Sequence, residues 1–141
     1  MSAIELAPEY LAATARQYGF LGAFLGGVAA TFCATMLTLA KPSRSARWSI
    51  GLSSVAAVAF IVVAILSVTI VARNHPLAPE LIGERSTVFQ QAILVLSFTI
   101  GGFALLSAIG VAGWTRSKPL GIVTSSAALI AAIPIFLTLF F

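Results

Sequence analysis

Charged residues are scarce in this chain, and its four long apolar stretches contain none. Only 9% of the residues are Asp, Glu, Lys or Arg, whereas soluble domains carry about 25%. Ionisable groups inside a membrane usually mark ion or proton paths. Their absence argues against a proton-coupled exporter of the small four-helix kind, which would need a buried carboxylate. It also argues against a retinal protein, which would need a buried lysine.

Histidine and cysteine each occur once. One copy of the chain therefore has no second histidine with which to hold a haem between helices. His75 lies in a loop and is a candidate metal ligand, with Glu80 and Glu84 as its only helpers, although lone loop histidines are more often solvated. Cys33 has no partner for a disulfide within one copy. We predict no catalytic residue and no cofactor, and a membrane enzyme is the least favoured function.

The few charged residues that are present indicate an orientation. The eight basic residues are too scattered to form a nucleic-acid surface, so no nucleic-acid partner is predicted. Loops 41–47 and 115–119 are basic and contain no acid, whereas segments 1–17 and 73–87 contain all four acids. The excess of cations in short loops predicts that 41–47 and 115–119 are cytoplasmic and that both termini and 73–87 lie outside. The basic loops also attract anionic lipids, so membrane lipids are predicted partners and a bound lipid is compatible with the sequence.

The first residues lack the pattern of a cleaved secretory signal, because Glu5 and Glu9 stand where a positive region is expected. We therefore expect the first helix to be a permanent anchor with its N-terminus outside. Pro8 and Glu9 suit the first turn of a helix. Residues 1–17 are thus an outer extension in which the first helix begins, and it either projects from the bilayer or lies along its surface.

Apolar residues are abundant, at 60% of the chain, and the mean hydropathy is +1.07. The stretches 18–40, 48–72, 88–114 and 120–141 each meet the roughly 20 residues needed to cross a hydrocarbon core. The sequence therefore predicts an all-α integral membrane protein, with residues 1–141 forming a single domain of four transmembrane helices in a bundle. The composition, rich in Ala and Gly, is compatible with a bacterial inner membrane.

Small residues in the first apolar stretch repeat at intervals of four. Gly22, Gly26 and Ala30 form one line, and Ala23, Gly27 and Thr31 form a second line beside it. Small residues let another helix approach closely, which is how helices associate in lipid. Gly101 and Gly102 provide a further point of close approach in the third stretch, and we expect them to face the first helix. These positions, apart from Thr31, form the predicted helix-packing interface.

A short sequence recurs before the first and third stretches. Residues 6–9 and 77–80 both read LAPE, and each precedes an outward-to-inward helix, a basic loop and a returning helix. One interpretation is a duplication that gives two parallel helical hairpins related by an axis along the membrane normal, with Gly22 and Gly26 facing Gly101 and Gly102. The other is a coincidence of common residues.

These features predict a non-catalytic membrane protein whose role is assembly, either as an accessory or scaffold subunit of a membrane complex or as a homo-oligomer. Its partners would be other membrane subunits or further copies, joined through the small-residue face of the first helix. The alternative is a small oligomeric channel with a polar path along Thr31, Thr35, Ser97 and Thr99. Such hydroxyls more often bond within their own helix, and liposome flux measurements separate the two functions.

Overall fold

The computed structural model describes residues 8–39, 41–73 and 87–140, and this part of the chain is almost entirely helical. Its elements are α1 (Pro8–Leu39), α2 (Arg44–Arg73), α3 (Thr87–Ala112) and α4 (Lys118–Phe140). A 3-10 turn, Gly113–Thr115, follows α3 directly. The predicted all-α class with four helices is confirmed for the described residues.

The helix ends follow local capping. α1 begins at Pro8, as its sequence predicts, and its 32 residues span about 48 Å. α2 begins before the predicted span 48–72 because the Ser43 hydroxyl accepts a hydrogen bond from the Ala46 N–H at 3.1 Å. The Ser117 hydroxyl caps α4 in the same way, accepting from the Leu120 N–H at 3.3 Å. Both helices therefore start on serines of the short basic loops.

Three helices are long and apolar enough to cross a membrane, over Tyr10–Leu39, Arg44–Arg73 and Phe89–Thr115. The apolar part of α4, Lys118–Pro134, is shorter than these. The described residues are thus consistent with an integral membrane protein, and the fourth crossing stays a prediction.

α2 is the central helix of the bundle. It packs against α1 on one side and α3 on the other, while α1 and α3 touch each other only slightly. Within the described residues, α4 contacts α3 and the 3-10 turn but neither α1 nor α2. The helices of the bundle therefore pack in the order α1, α2, α3, α4, with α2 and α3 each between two neighbours, which leaves much of α1 and α4 uncovered.

The buried residues of α2 explain its central place. They alternate at spacings of three and four, which gives the period of 3.5 residues typical of a helix that packs along one continuous seam. The buried set is Ala46, Ser49, Ser53, Ala56, Phe60, Val63, Ser67 and Ile70. Ser49 also donates a hydrogen bond to the Ala108 carbonyl of α3 at 2.9 Å, so the seam includes an interhelical bond at its first turns.

Candidate helix-packing site

Two glycines of the predicted interface are used inside the chain. A Cβ atom added to Gly22 would lie 2.8 Å from Val63 Cγ1 and 3.2 Å from the Phe60 carbonyl oxygen. A Cβ atom added to Gly26 would lie 3.3 Å from Phe60 Cβ. The small face of α1 therefore packs against α2, with Gly19 against Ser67 continuing the antiparallel contact.

Phe60 fills the centre of the bundle from α2. It is fully buried, and its ring lies 3.1 Å from the position of a Cβ atom added to Gly101. The ring also meets Phe98 edge-on, with centroids 5.8 Å apart, and Phe98 meets Tyr18 edge-on at 5.2 Å. Gly26 on α1 and Gly101 on α3 thus make room for one large side chain between the two helices.

The expected contact of Gly22 and Gly26 with Gly101 and Gly102 is wrong. Gly101 faces the Phe60 ring, and a Cβ atom added to Gly102 would have no atom within 4 Å. The reason is that a whole helix lies between α1 and α3 along most of their length, because α2 packs on both.

Ala30 does not continue the line of Gly22 and Gly26. It is exposed, and the buried residue is its neighbour Ala29. Each step of four residues turns a helix about 40° past a full circle, so two steps move a side chain about 80° around the axis. Contacts at spacings of three and four stay on one side, and α1 buries Ala15 and Ala29 on that side.

The second line of small residues lies on the exposed side of α1. Ala23, Gly27, Thr31 and Thr35 line a shallow groove whose other lining residues are Phe24, Val28 and Phe32. All of them belong to α1, and a Cβ atom added to Gly27 would meet nothing within 4 Å. We call this set the outer groove. No described residue of another helix lines it.

Three of the four hydroxyl groups of the predicted polar path bond within their own helices. Thr31 donates to the Gly27 carbonyl at 2.8 Å, Thr35 to the Thr31 carbonyl at 2.8 Å, and Thr99 to the Val95 carbonyl at 2.8 Å. Ser97 and Thr99 lie on α3 and do not line the outer groove. One copy of the chain therefore does not bring the four residues of the path together around one space.

α4 is held to α3 by a corner of small residues. Gly110 on α3 accepts hydrogen bonds from the hydroxyls of Thr124 at 3.0 Å and Ser125 at 3.1 Å. The Trp114 indole N–H donates to Ser125 at 3.0 Å. An open groove continues from this corner between the two helices, with Phe103, Leu106 and Ala128 among its lining. The side chains around the corner are held by polar contacts.

Several predicted features lie outside the described residues. His75, Glu80 and Glu84 belong to the segment 74–86, and so does the second LAPE sequence, so the suggested metal ligand and duplication stay predictions. Among the described residues, no group of three or more His, Cys, Asp or Glu side chains could hold a metal ion. Cys33 is half-buried, with its sulfur 3.3 Å from the Ser54 hydroxyl oxygen.

Comparison with known protein families, curated proteins and solved structures finds no match to this chain.

Reading the small residues only at intervals of four missed part of the α1–α2 contact. Gly19 and Ala29 of α1 belong to it, as does Phe60 of α2. The available signal was the alternation of three and four among the small residues of both helices. In α2 that alternation runs through eight positions, with a single aromatic residue in the middle.

Proposed function

We propose that this chain is an assembly protein of the membrane, a non-catalytic accessory or scaffold subunit that receives a helix of another subunit or copy in the outer groove. The observation that carries the proposal is the contrast between two neighbouring glycines. The space above Gly26 is occupied by Phe60 of α2, whereas the space above Gly27 is open. Small residues that leave a helix surface smooth allow the close approach on which association in lipid depends.

The shape of the outer groove supports a helix as its occupant. Its small residues follow the i, i+4 ridge of α1, so they form a continuous channel along the helix rather than a round pocket. Phe24 stands exposed at its side, with 62% of its surface accessible, and provides a bulky wall. A second ridge of small or medium side chains would pack on the line of small residues beside this wall at close interaxial distance.

Replacing Gly27 with leucine tests the proposal. Leucine would project into the groove, and its Cβ would meet no atom of another helix within 4 Å, so we expect association to weaken about tenfold, which equals about 1.4 kcal/mol. Association is measured on the full chain in mild detergent by light scattering after gel filtration, and by the stoichiometry of any co-purifying membrane subunit. Leucine at Gly22 or Gly26 would be unsuitable, because it would collide with α2.

The matched control is Gly51→Leu. Gly51 is also a helical glycine with no atom within 4 Å of an added Cβ, but it lies on α2, away from the outer groove. Both variants should keep the helical circular dichroism of the parent chain. Equal association of the parent and Gly27→Leu chains, or equal weakening by both leucines, would contradict the proposal.

We further propose that α4 is a fourth crossing, with both termini outside and the basic loops in the cytoplasm of a bacterial cell. What supports this is the length of α4, 23 residues, together with the cations on the two short loops. Alkaline phosphatase fused after Phe141 should then be active, whereas the same enzyme fused after Thr115 should be inactive. An active fusion at Thr115, or an inactive one at Phe141 in a stably expressed protein, would overturn this topology.

A further inference from the structure

One end of the bundle carries a group of exposed cations without anionic partners in the described residues. The group consists of Lys41, Arg44, Arg47, Arg116 and Lys118. The only acid in the described part of the chain is Glu9, at the opposite end of α1, about 45 Å along the helix. These five side chains are called the basic end. Their charge is therefore not balanced by any acidic residue near them in the described part of the chain.

Helix packing places the two basic loops side by side. The bond from Ser49 to Ala108 joins the first turns of α2 to the last turns of α3, and the 3-10 turn also contacts α2. Arg44 and Arg47 at the start of α2 and Arg116 after α3 consequently lie at the same end of one packed pair. The basic end is thus a single surface built from two loops that are distant in sequence.

Two tryptophans indicate the level of this surface relative to the lipid headgroups. Trp48 is 63% exposed and Trp114 is 47% exposed, and both lie within one or two turns of the cations. An indole with an apolar body and one N–H donor prefers the level of the lipid headgroups. Trp114 already donates to Ser125, so its ring is held in place at that level.

We propose that the basic end binds anionic phospholipid headgroups of the adjacent leaflet. Arginine donates paired hydrogen bonds that match phosphate oxygens, and three of the five cations are arginines. Exposed apolar residues such as Val55 and Val58 lie further along α2, where the acyl chains of a lipid bound at the headgroup level would run. A lipid satisfies both parts of the surface, whereas a soluble acidic protein would leave the indoles and the apolar helix sides uncovered. The proposal does not depend on a partner helix in the outer groove.

The test uses the full-length chain in a neutral detergent, with phosphatidylglycerol or phosphatidylcholine of identical acyl chains added at equal concentration. Native mass spectrometry counts the lipids that stay bound. We expect phosphatidylglycerol to be retained in preference, and Arg47→Gln to lower its affinity about fivefold, the effect of about one charge near a membrane surface. Removing Arg44, Arg47 and Arg116 together, each by glutamine, should lower the affinity further.

Arg16→Gln is the matched control, because Arg16 is an exposed helical arginine near the other end of α1. It should leave retention of phosphatidylglycerol unchanged. Equal retention of the two lipids by the parent chain, or equal losses in Arg47→Gln and Arg16→Gln, would overturn the proposal. Displacement of the lipid by inorganic phosphate at the same concentration would also overturn it, since free phosphate would then be the ligand. If the triple variant fails to fold, the retention of phosphatidylglycerol against phosphatidylcholine by the parent chain still tests whether the anionic lipid is preferred.

Discussion

Replacing Phe60, the largest fully buried side chain among the described residues, with alanine should strongly destabilise the bundle. The side chain lies between α1 and α3, and Gly26 and Gly101 leave room for it because they have no side chains of their own. Truncation of a buried phenylalanine in soluble proteins costs about 3 to 5 kcal/mol. We expect about 3 kcal/mol, because lipid is as apolar as the core, so the loss is mainly of dispersion contacts. The free energy of unfolding is measured by titration with sodium dodecyl sulfate in mixed micelles, followed by helical circular dichroism.

The matched control is Phe20→Ala, on the exposed side of α1. Phe20 is 74% exposed, so its truncation removes few contacts and should change the free energy of unfolding by less than about 0.5 kcal/mol. Similar losses for the two variants would show that the packing of Phe60 between the glycines does not hold the bundle together. If only Phe60→Ala lowers the free energy of unfolding, the packing of Phe60 between the glycines stabilises the bundle.

The helix class and the helix number followed from composition and apolar length, because these depend on each segment by itself. Thus α2 was predicted from its uninterrupted apolar run, and its start at Arg44 differs from the prediction only by the local cap at Ser43. Which helix lies in the middle depends instead on how the segments meet. Two helices with smooth faces, α1 and α3, looked like natural partners, but each packs on the bulky residue of α2 instead.

In the candidate site, too, some features follow from the sequence of one helix, whereas others depend on how two helices pack. The sequence alone places small residues on two neighbouring lines of α1, and the structure assigns them different surroundings. Gly22 lies against Val63, whereas Gly27 is open. Neighbouring residues of a helix point about 100° apart, so the two lines face different directions, and the side of α1 on which α2 lies decides which line is covered. That side cannot be read from the residue types of α1 alone.

Gly113→Ala is expected to open the corner between α3 and α4. The added methyl would collide with the Thr124 hydroxyl and lie 2.7 Å from the Leu120 carbonyl oxygen and 3.0 Å from Gly121 Cα. The hydroxyl alone could rotate, but the other two atoms belong to the backbone of α4. The helix must therefore move away, and overpacking of this kind costs about 1 to 3 kcal/mol. Because α4 contacts only α3 and the turn, no other described helix holds it in place.

Trp114 reports this movement directly, since its ring covers Gly121 and its N–H donates to Ser125. In a Trp48→Phe background it is the only tryptophan, and we expect Gly113→Ala to increase its quenching by acrylamide as α4 withdraws. The control is Gly102→Ala, a helical glycine of α3 with open space above it, where alanine should be neutral or stabilising by up to about 1 kcal/mol. Unchanged quenching in Gly113→Ala would mean that the corner tolerates a methyl group, and that the fit of Gly113 against α4 does not set the position of the fourth helix.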